Sequence, residues 1–369
     1  MKKSFSIFSF FSGSGFLDLG FENSGFNIKL VNEFFPSFMN AYKYSRKGLQ
    51  IDSPQFGYQN NDINDFLSSR KNELEDYLKV SKKESLTGFI GGPPCPDFSI
   101  AGKNKGKDGE NGKLSLSYVT SITTFLPDFF LFENVKGLWK TEKHRKFFDE
   151  LKTMLHHAGY CTTEKLINTL EFGAPQDRER ILLFGVKKEL LNKSYYSGTE
   201  LLNFTWNSKC LYSINDIISK DWPDMIPFSE NSIIECPRNI IEQLTVEYWF
   251  KKNDVINHPN GMDYFTPKAG LAKMQVIQEG DVRKKCYKRL HRWRYSPTAA
   301  YGNNEVHLHP YKIRRLSVAE ALAIQSLPKD FSLPPEMTLT DKFKTVGNGV
   351  PYLAAKGIAE TIKNYLEEL

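Results

Sequence analysis

The sequence predicts an α/β protein, a doubly wound and mostly parallel sheet that carries a second, smaller domain, and three observations lead there. Short apolar runs of strand length alternate with helical patterns through roughly the first 190 residues, the order that a parallel sheet with crossover helices requires. The first strand and the first helix are joined by a glycine turn, Gly13-Ser14-Gly15. The alternation then fades between about residues 190 and 310, where polar stretches punctuated by Pro223, Pro227, Pro237, Pro259 and Pro267 take over. At 369 residues the chain is also longer than one hydrophobic core usually serves.

In chain order, residues 5 to 11 form a short buried strand, Gly13 to Gly15 the turn, Phe16 to Asn23 a helix and Ile28 to Asn32 a second strand, together one β-α-β unit. Further strands are expected at Gly88–Gly91, Asp128–Phe132 and Ile181–Val186. Between the last two, Phe147, Phe148, Leu151, Met154 and Leu155 recur on one helical face. Regular order returns near Arg314, where Ser317 and Glu320 spell a capping box opening a helix toward Leu327 that Pro328 stops. The last helix starts at Pro351 and aligns Ile358, Ile362, Tyr365 and Leu369, so the C-terminus is expected to pack back on the first domain.

Composition excludes several classes. A hydrophobic content of 40% with 25% charged residues and 28 phenylalanines is that of a globular chain with ample core, not a disordered one. The net charge of +6 suits a polyanionic partner. Arg283, Lys284, Lys285, Lys288, Arg289, Arg292 and Arg294 fall in one stretch interleaved with Tyr287, Trp293 and Tyr295, the pattern of a phosphate-tracking surface with stacking partners. A solvated charged face is equally compatible. The five cysteines, Cys95, Cys161, Cys210, Cys236 and Cys286, are odd in number and widely spaced, which disfavours zinc, or any other metal, and a disulfide framework. The apolar start is interrupted by Ser4, Ser6, Ser9 and Ser12, unlike a secretory leader, and no run is long enough to span a membrane. A reducing cytoplasm, where a free thiol persists, is the expected home.

The chemistry-bearing residues sit where such a sheet keeps its ligands, beyond the carboxyl ends of its strands. The glycine turn lets backbone N–H groups and the positive end of a helix face a polar ligand. Its spacing runs Gly13, Gly15, Gly20 and not Gly-x-Gly-x-x-Gly, which argues against a nicotinamide or flavin enzyme. Glu33 ends the second strand, where a carboxylate accepts from ribose hydroxyls, and Phe34 can stack an adenine; a plain turn and a surface acid are the alternative reading. Cys95, in Gly91-Gly92-Pro93-Pro94-Cys95-Pro96, is presented by a proline-stiffened loop at a strand end, a setting that packing explains poorly. The glycine-rich run with Lys103, Lys105 and Lys107 suits a loop closing over an anion. Glu133 ends a third apolar strand, where burial should raise its pKa and let it donate a proton to a ring nitrogen. Arg178 and Arg180, two apart on an extended segment, should point to one side and clamp a carbonyl oxygen or phosphate.

Taken in order, these segments resemble the cytosine-5 DNA methyltransferase family over nearly the whole chain outside its middle. Phe11-Ser12-Gly13-Ser14-Gly15 is similar to its first cofactor motif, Pro93-Pro94-Cys95 to its nucleophile motif, Glu133-Asn134-Val135 to its acid motif, Gln176-Asp177-Arg178-Glu179-Arg180 to its arginine motif, and Val346-Gly347-Asn348-Gly349-Val350-Pro351 to its closing motif. The resemblance implies a Rossmann-like, S-adenosylmethionine-dependent methyltransferase whose second domain recognises the target. Residues 1–189 would be catalytic and cofactor-binding, 190–312 target-recognising, 313–340 a connecting helix and hinge, and 341–369 a helix returning to the catalytic domain.

By the same resemblance the cofactor is S-adenosylmethionine, leaving as S-adenosylhomocysteine, with no metal. Phe11, Gly13 and Gly15 would surround its methionine and adenosine parts, Glu33 the ribose, Phe34 and Ile63 the adenine, and Asp62 the adenine amino group, with Pro94, Leu114, Asn348 and Gly349 completing the pocket. Cys95 would add to carbon 6 of a cytosine flipped from double-stranded DNA; Glu133 would hold the exocyclic amine and protonate nitrogen 3, Arg180 would bind the oxygen at position 2, and Arg178 would support them. Ser99, Lys103, Lys105 and Lys107 would grip the flipped strand, and Arg289, Arg292 and Arg294 would contact DNA from the recognition domain. The chain departs from the family pattern at Ser9, where Asp is frequent, and at Asn111, where a loop arginine is common. A monomeric prokaryotic modification enzyme, paired with a restriction endonuclease, is the expected biology. An RNA cytosine-5 methyltransferase of the same fold, or an inactive DNA-binding relative, remains as an alternative.

Overall fold

The first strand, β1 (Phe5–Phe10), is buried at every position, as a strand covered on both faces must be. Phe5 and Ile7 enter the core on one side of the sheet, Phe8 and Phe10 the core on the other. The structure, a computed structural model, describes residues 3–94, 110–267, 270–299, 301 and 305–369. The chain runs on through α1 (Phe16–Asn23), β2 (Asn27–Asn32), α2 (Pro36–Gly48), β3 (Tyr58–Gln59), α3 (Ile63–Phe66), α4 (Lys71–Glu84), β4 (Leu86–Gly91), α5 (Glu110–Phe125), β5 (Phe129–Val135), α6 (Lys136–Lys140), α7 (Glu142–His157), β6 (Tyr160–Asn168), β7 (Gln176–Asp177) and β8 (Glu179–Lys187). After these come β9 (Tyr196–Ser197), β10 (Glu200–Leu201), α8 (Ile214–Ile218), α9 (Val246–Lys252), α10 (Leu271–Val276), β11 (Ser296–Pro297), α11 (Val318–Ile324), α12 (Leu339–Asn348) and α13 (Tyr352–Glu368).

Among the described residues the main sheet has the order β3-β2-β1-β4-β5-β8-β6-β10-β9. Its first five strands are parallel, and β8 runs antiparallel to both β5 and β6. Strand order reverses direction at β1, with β2 on one side and β4 on the other, which is the switch point where such sheets open a crevice. Phe10 lies in register with Asn32 and with Gly91, and Gly91 with Phe132. The residues that follow, Phe11, Glu33, Gly92 and Glu133, therefore leave four neighbouring strands at one edge. β8 enters at that same edge, with Arg180 opposite Val135.

Glycine makes room for the aromatic core at two places: a Cβ on Gly88 would fall 2.1 Å from the Phe129 ring, and one on Gly185 would fall 2.3 Å from Phe130. α13 packs on α1 with Ile358, Ile362 and Tyr365 in the core, as its periodicity indicated. Gly20 is the contact that permits this, since a Cβ there would lie 2.6 Å from the Ala355 backbone.

A second core gathers Trp249, Phe250, Leu290, Leu316, Phe331 and Phe343 around α11, and it reaches back to Phe16 and Leu19 of α1. Two boundaries shift in consequence. The sheet continues past residue 189 through β9 and β10, and Trp206 belongs to its core, because a pair of two-residue strands covers the edge of β6. Every residue of α11 is buried, so the stretch 313–340, expected as a connecting helix and hinge, contributes to the centre of the second core. The capping box that opens α11 is present, Ser317 and Glu320 each accepting from the other's backbone N–H. Among the described residues no helix is long and apolar enough to cross a membrane.

Candidate active site

Glycine and small polar residues build the turn after β1. Phe11, Gly13 and Gly15 all have positive φ, at 54°, 55° and 80°, a region that costs glycine nothing. The Gly13 N–H donates to Glu33 Oε2 at 2.8 Å and the Phe35 N–H to Glu33 Oε1 at 2.8 Å. Glu33 thus fastens the turn to the end of β2, and each carboxylate oxygen keeps a further lone pair for a ligand. Burial raises the Glu33 pKa, against those backbone donors. Space on the ligand side is open: a Cβ on Gly13 would meet nothing nearer than Thr345 Oγ1 at 3.9 Å, and Phe34 is 58% exposed.

The other expected cofactor residues converge on this turn. Asn60 Nδ2 donates to the carbonyls of Glu33 and Phe34, which brings Asp62 and Ile63 alongside. Asp62 caps α3 by accepting from the Asn64 N–H, and Ile63 is buried in the same core that Phe11 and Leu114 line. Phe11 meets the Tyr118 ring edge-on. From the far end of the chain, Ser14 and Thr345 pair at 2.7 Å, and a Cβ on Gly349 would fall 2.1 Å from the Phe16 ring. α12 is therefore held against the turn with Asn348 exposed at its end. No local signal marks Thr345, whose partner lies 331 residues away. The residues present fit a bound nucleoside: exposed ring, free carboxylate capacity and open glycine face occupy one edge.

At the neighbouring strand ends, Glu133 is buried and pairs with Arg180, Oε1 to Nε, at 2.9 Å. Burial raises the Glu133 pKa, opposed by Arg180 and then Arg178. A Cβ on Gly92 would fall 2.6 Å from Glu133 Oε2. The segment that leads to Cys95 therefore passes directly against the Glu133 carboxyl, and Pro94, two residues on, is exposed. Cys95, Ser99, Lys103, Lys105 and Lys107 lie outside the described residues.

Arg178 does not share the direction of Arg180. It is 1% exposed and donates to the carbonyls of Ala299 and Gly347 at 2.9 and 2.8 Å. It is a strut, not a clamp: Arg178 precedes β8, between two strands of different sheets, so strict alternation does not apply to it. Gln176 completes the strut, its Oε1 accepting from Arg178 and from the Ala299 N–H. Three buried polar atoms of this cluster, Gln176 Nε2, Arg178 Nε and Tyr301 Oη, have no hydrogen-bond partner among the described residues, and such groups call for water or a ligand.

Two of the three arginines expected to contact DNA from the second domain also prove internal. Arg289 is fully buried, its guanidinium donating to the carbonyls of Met274, Ile277, His309 and Lys312. Arg292 is 3% exposed and locked to Glu279, itself 1% exposed, and to Ser232. Neither can reach a phosphate without abandoning these partners, so both are corrected to structural residues. Arg294 is half-buried over the Tyr295 ring. Among the described residues no group of three or more His, Cys, Asp or Glu is placed to hold a metal.

The chain is 58% identical over 368 residues to Type II methyltransferase M.NmeDI of Neisseria meningitidis serogroup C, covering 99% of this chain and 85% of that one. It is 30% identical to Type II methyltransferase M.MthTI of Methanothermobacter thermautotrophicus, covering 98% of each. Among solved structures, a DNA modification methyltransferase encoded within an E. coli prophage superposes with a TM-score of 0.62 at 21% identity, over 98% of this chain and 99% of that one. The S. pombe Dnmt2 methyltransferase follows at 0.57 and 13%, over 98% of both chains. These structures share the fold. The family model described as C-5 cytosine-specific DNA methylase matches residues 5–364, so the chain belongs to that family and is a methyltransferase.

Proposed function

We propose that this protein methylates carbon 5 of a cytosine within a specific double-stranded DNA sequence, through a covalent Cys95 adduct on a base extruded from the helix, with S-adenosylmethionine as methyl donor. The observation that carries the reading is the contact of Gly92 with the Glu133 carboxyl, because it joins the nucleophile segment to the acid at one sheet edge. Carbon 5 of cytosine is too electron-poor to take a methyl group until a nucleophile adds at carbon 6. The Cys95 thiolate makes that addition. Glu133, its carboxyl held toward the protonated form by burial, donates to nitrogen 3 and holds the exocyclic amine. Arg180 turns from Glu133 to the oxygen at position 2 and stabilises the charge that collects there. S-adenosylmethionine, when bound, supplies an electrophilic methyl group. A base then takes the carbon 5 proton, the bond to sulfur breaks to release the Cys95 thiolate, nitrogen 3 returns its proton to Glu133, and the ring regains its aromaticity.

Phe11, Gly13, Gly15, Glu33, Phe34, Asp62, Ile63, Pro94, Leu114, Asn348 and Gly349 would hold the cofactor. Arg178 supports the site indirectly, by tying Ala299 and Gly347 to the arginine segment. Ser99, Lys103, Lys105, Lys107 and Arg294 would face DNA. The protein would act as a monomer beside a restriction endonuclease, a pairing that the Type II names of the relatives support. Bisulfite sequencing of DNA from a host expressing the protein should reveal one methylated sequence. DNA containing 5-fluorocytosine should be trapped covalently by the wild type and not by Cys95→Ser. Label from methyl-tritiated cofactor passing to tRNA and not to duplex DNA would overturn the DNA reading.

A further inference from the structure

Each residue of the glycine turn is tied down by the chain itself. Ser12 Oγ donates to the Asn32 carbonyl, the Gly13 N–H donates to Glu33, and Ser14 pairs with Thr345. The fourth tie comes from a residue that belongs to none of the recognised motifs. Arg46, on α2, is 1% exposed, and its Nη2 donates to the Gly15 carbonyl at 2.7 Å. Its Nε pairs with Glu22 at 2.9 Å, and the guanidinium lies over the Tyr42 ring, 4.2 Å from its centre. A Cβ on Gly15 would fall 2.5 Å from Tyr42 and 2.6 Å from Arg46, so α2 presses on the turn from the side away from the open glycine face.

Asp18 faces the same guanidinium from α1. It is fully buried, and its Oδ1 accepts from the Ser9 hydroxyl at 2.8 Å. Ser9 in turn pairs with Ser12 at 2.9 Å. The carboxylate that position 9 lacks is thus supplied from position 18, and Ser9 relays it to the turn.

We infer that Arg46 is a positioning residue for the cofactor: it holds the Gly15 carbonyl away from the ligand side and so fixes the shape of the turn's open face, with Glu22 fixing the guanidinium in place. The inference rests on the reading of this turn as the S-adenosylmethionine seat. A guanidinium is required because one planar fork reaches a carbonyl and a carboxylate together, whereas an ammonium is a single point charge on a flexible stem.

Calorimetry with S-adenosylhomocysteine tests this without catalysis. Wild type, Arg46→Lys and Glu22→Gln are titrated, with thermal midpoints and steady-state constants measured on the same samples. Arg46→Lys should weaken S-adenosylhomocysteine binding about ten-fold or more, the worth of one charged hydrogen bond. It should raise KM for S-adenosylmethionine by the same factor and leave kcat and KM for DNA within about two-fold. Glu22→Gln keeps the Gly15 bond but loosens the guanidinium, and should shift affinity the same way by about three-fold. Unchanged affinity in Arg46→Lys, or cofactor and DNA binding lost in parallel, overturns the inference. If Arg46→Lys does not fold, unchanged affinity in Glu22→Gln overturns it alone. A wild type that binds no S-adenosylhomocysteine refutes the cofactor reading itself, and the inference falls with it.

Discussion

The glycine turn at the sheet edge and the basic stretch of residues 283–294 both caught attention in the sequence, and the structure treats them in opposite ways. At the turn, Glu33 just after β2, Arg46 of α2 and Thr345 of α12 point inward to fix it, and one face stays open. In the basic stretch the arginines that resemble a phosphate surface are spent inside the protein, Arg289 on four backbone carbonyls and Arg292 on Glu279 and Ser232. Glycines and strand ends state where the backbone goes. A cationic side chain says nothing about its role until its partners are known.

The largest expected effect lies on the turn's side of that comparison. Glu133→Gln keeps shape and removes the titrating carboxyl, so methyl transfer at saturating cofactor and DNA should fall by about 10²- to 10⁴-fold, the usual worth of a positioned general acid. Binding of S-adenosylhomocysteine should be unchanged. Single-turnover rates and calorimetry check the two halves, and a mutant that loses binding as strongly as rate would merge sites that the strand order keeps apart.

Arg292→Ala breaks the other region in a different manner. It leaves Glu279, 1% exposed, buried without its partner, which typically costs about 3–5 kcal/mol. The expected outcome is a lowered thermal midpoint and a second core open to proteolysis, with the salt dependence of DNA binding in the surviving folded fraction unchanged. A loss confined to DNA affinity, with the midpoint intact, would restore Arg292 to the DNA surface. Arg294→Ala sharpens the same contrast by a smaller effect. Half-buried over Tyr295, it should lower the slope of log K against log salt by about one and leave the midpoint unchanged.

The first β-α-β unit, the four strand ends and the capping box were legible because periodicity and glycine are local signals. β9 and β10 were not, since two residues each carry no readable period. The proposed cofactor seat could be read as far as Gly13, Glu33 and Gly349, which lie in recognisable segments. Arg46 and Thr345 were invisible because their partners, Gly15 and Ser14, are 31 and 331 residues distant. Gly92 stands in the segment that leads to Cys95, yet nothing local says that its missing side chain makes way for Glu133.

The smallest expected effect is a change of slope with pH, and it has opposite sign in the two regions. Burial raises Asp18 from 3.8 to about 7, with Arg46 opposing and Glu22 adding. Asp18 therefore takes up a proton on folding; the stability it confers is full below 3.8 and is lost as pH rises toward about 7. Glu320, in α11, is also buried, but His309 and Arg314 outweigh that burial and hold its pKa well below 4.5. Its contribution is present above 4.5 and lost as pH falls below that value. Thermal midpoints recorded across the acid and neutral range, with hydrogen exchange resolved by region, separate the two. Asp18→Asn should flatten the decline between about pH 4 and 7 around the glycine turn and leave the acid limb untouched, whereas Glu320→Gln should blunt the acid limb around α11 alone. An Asp18→Asn profile that parallels the wild type would mean that Asp18 stays ionised beside Arg46, and the turn would then be held by an ion pair like the recognition region's own.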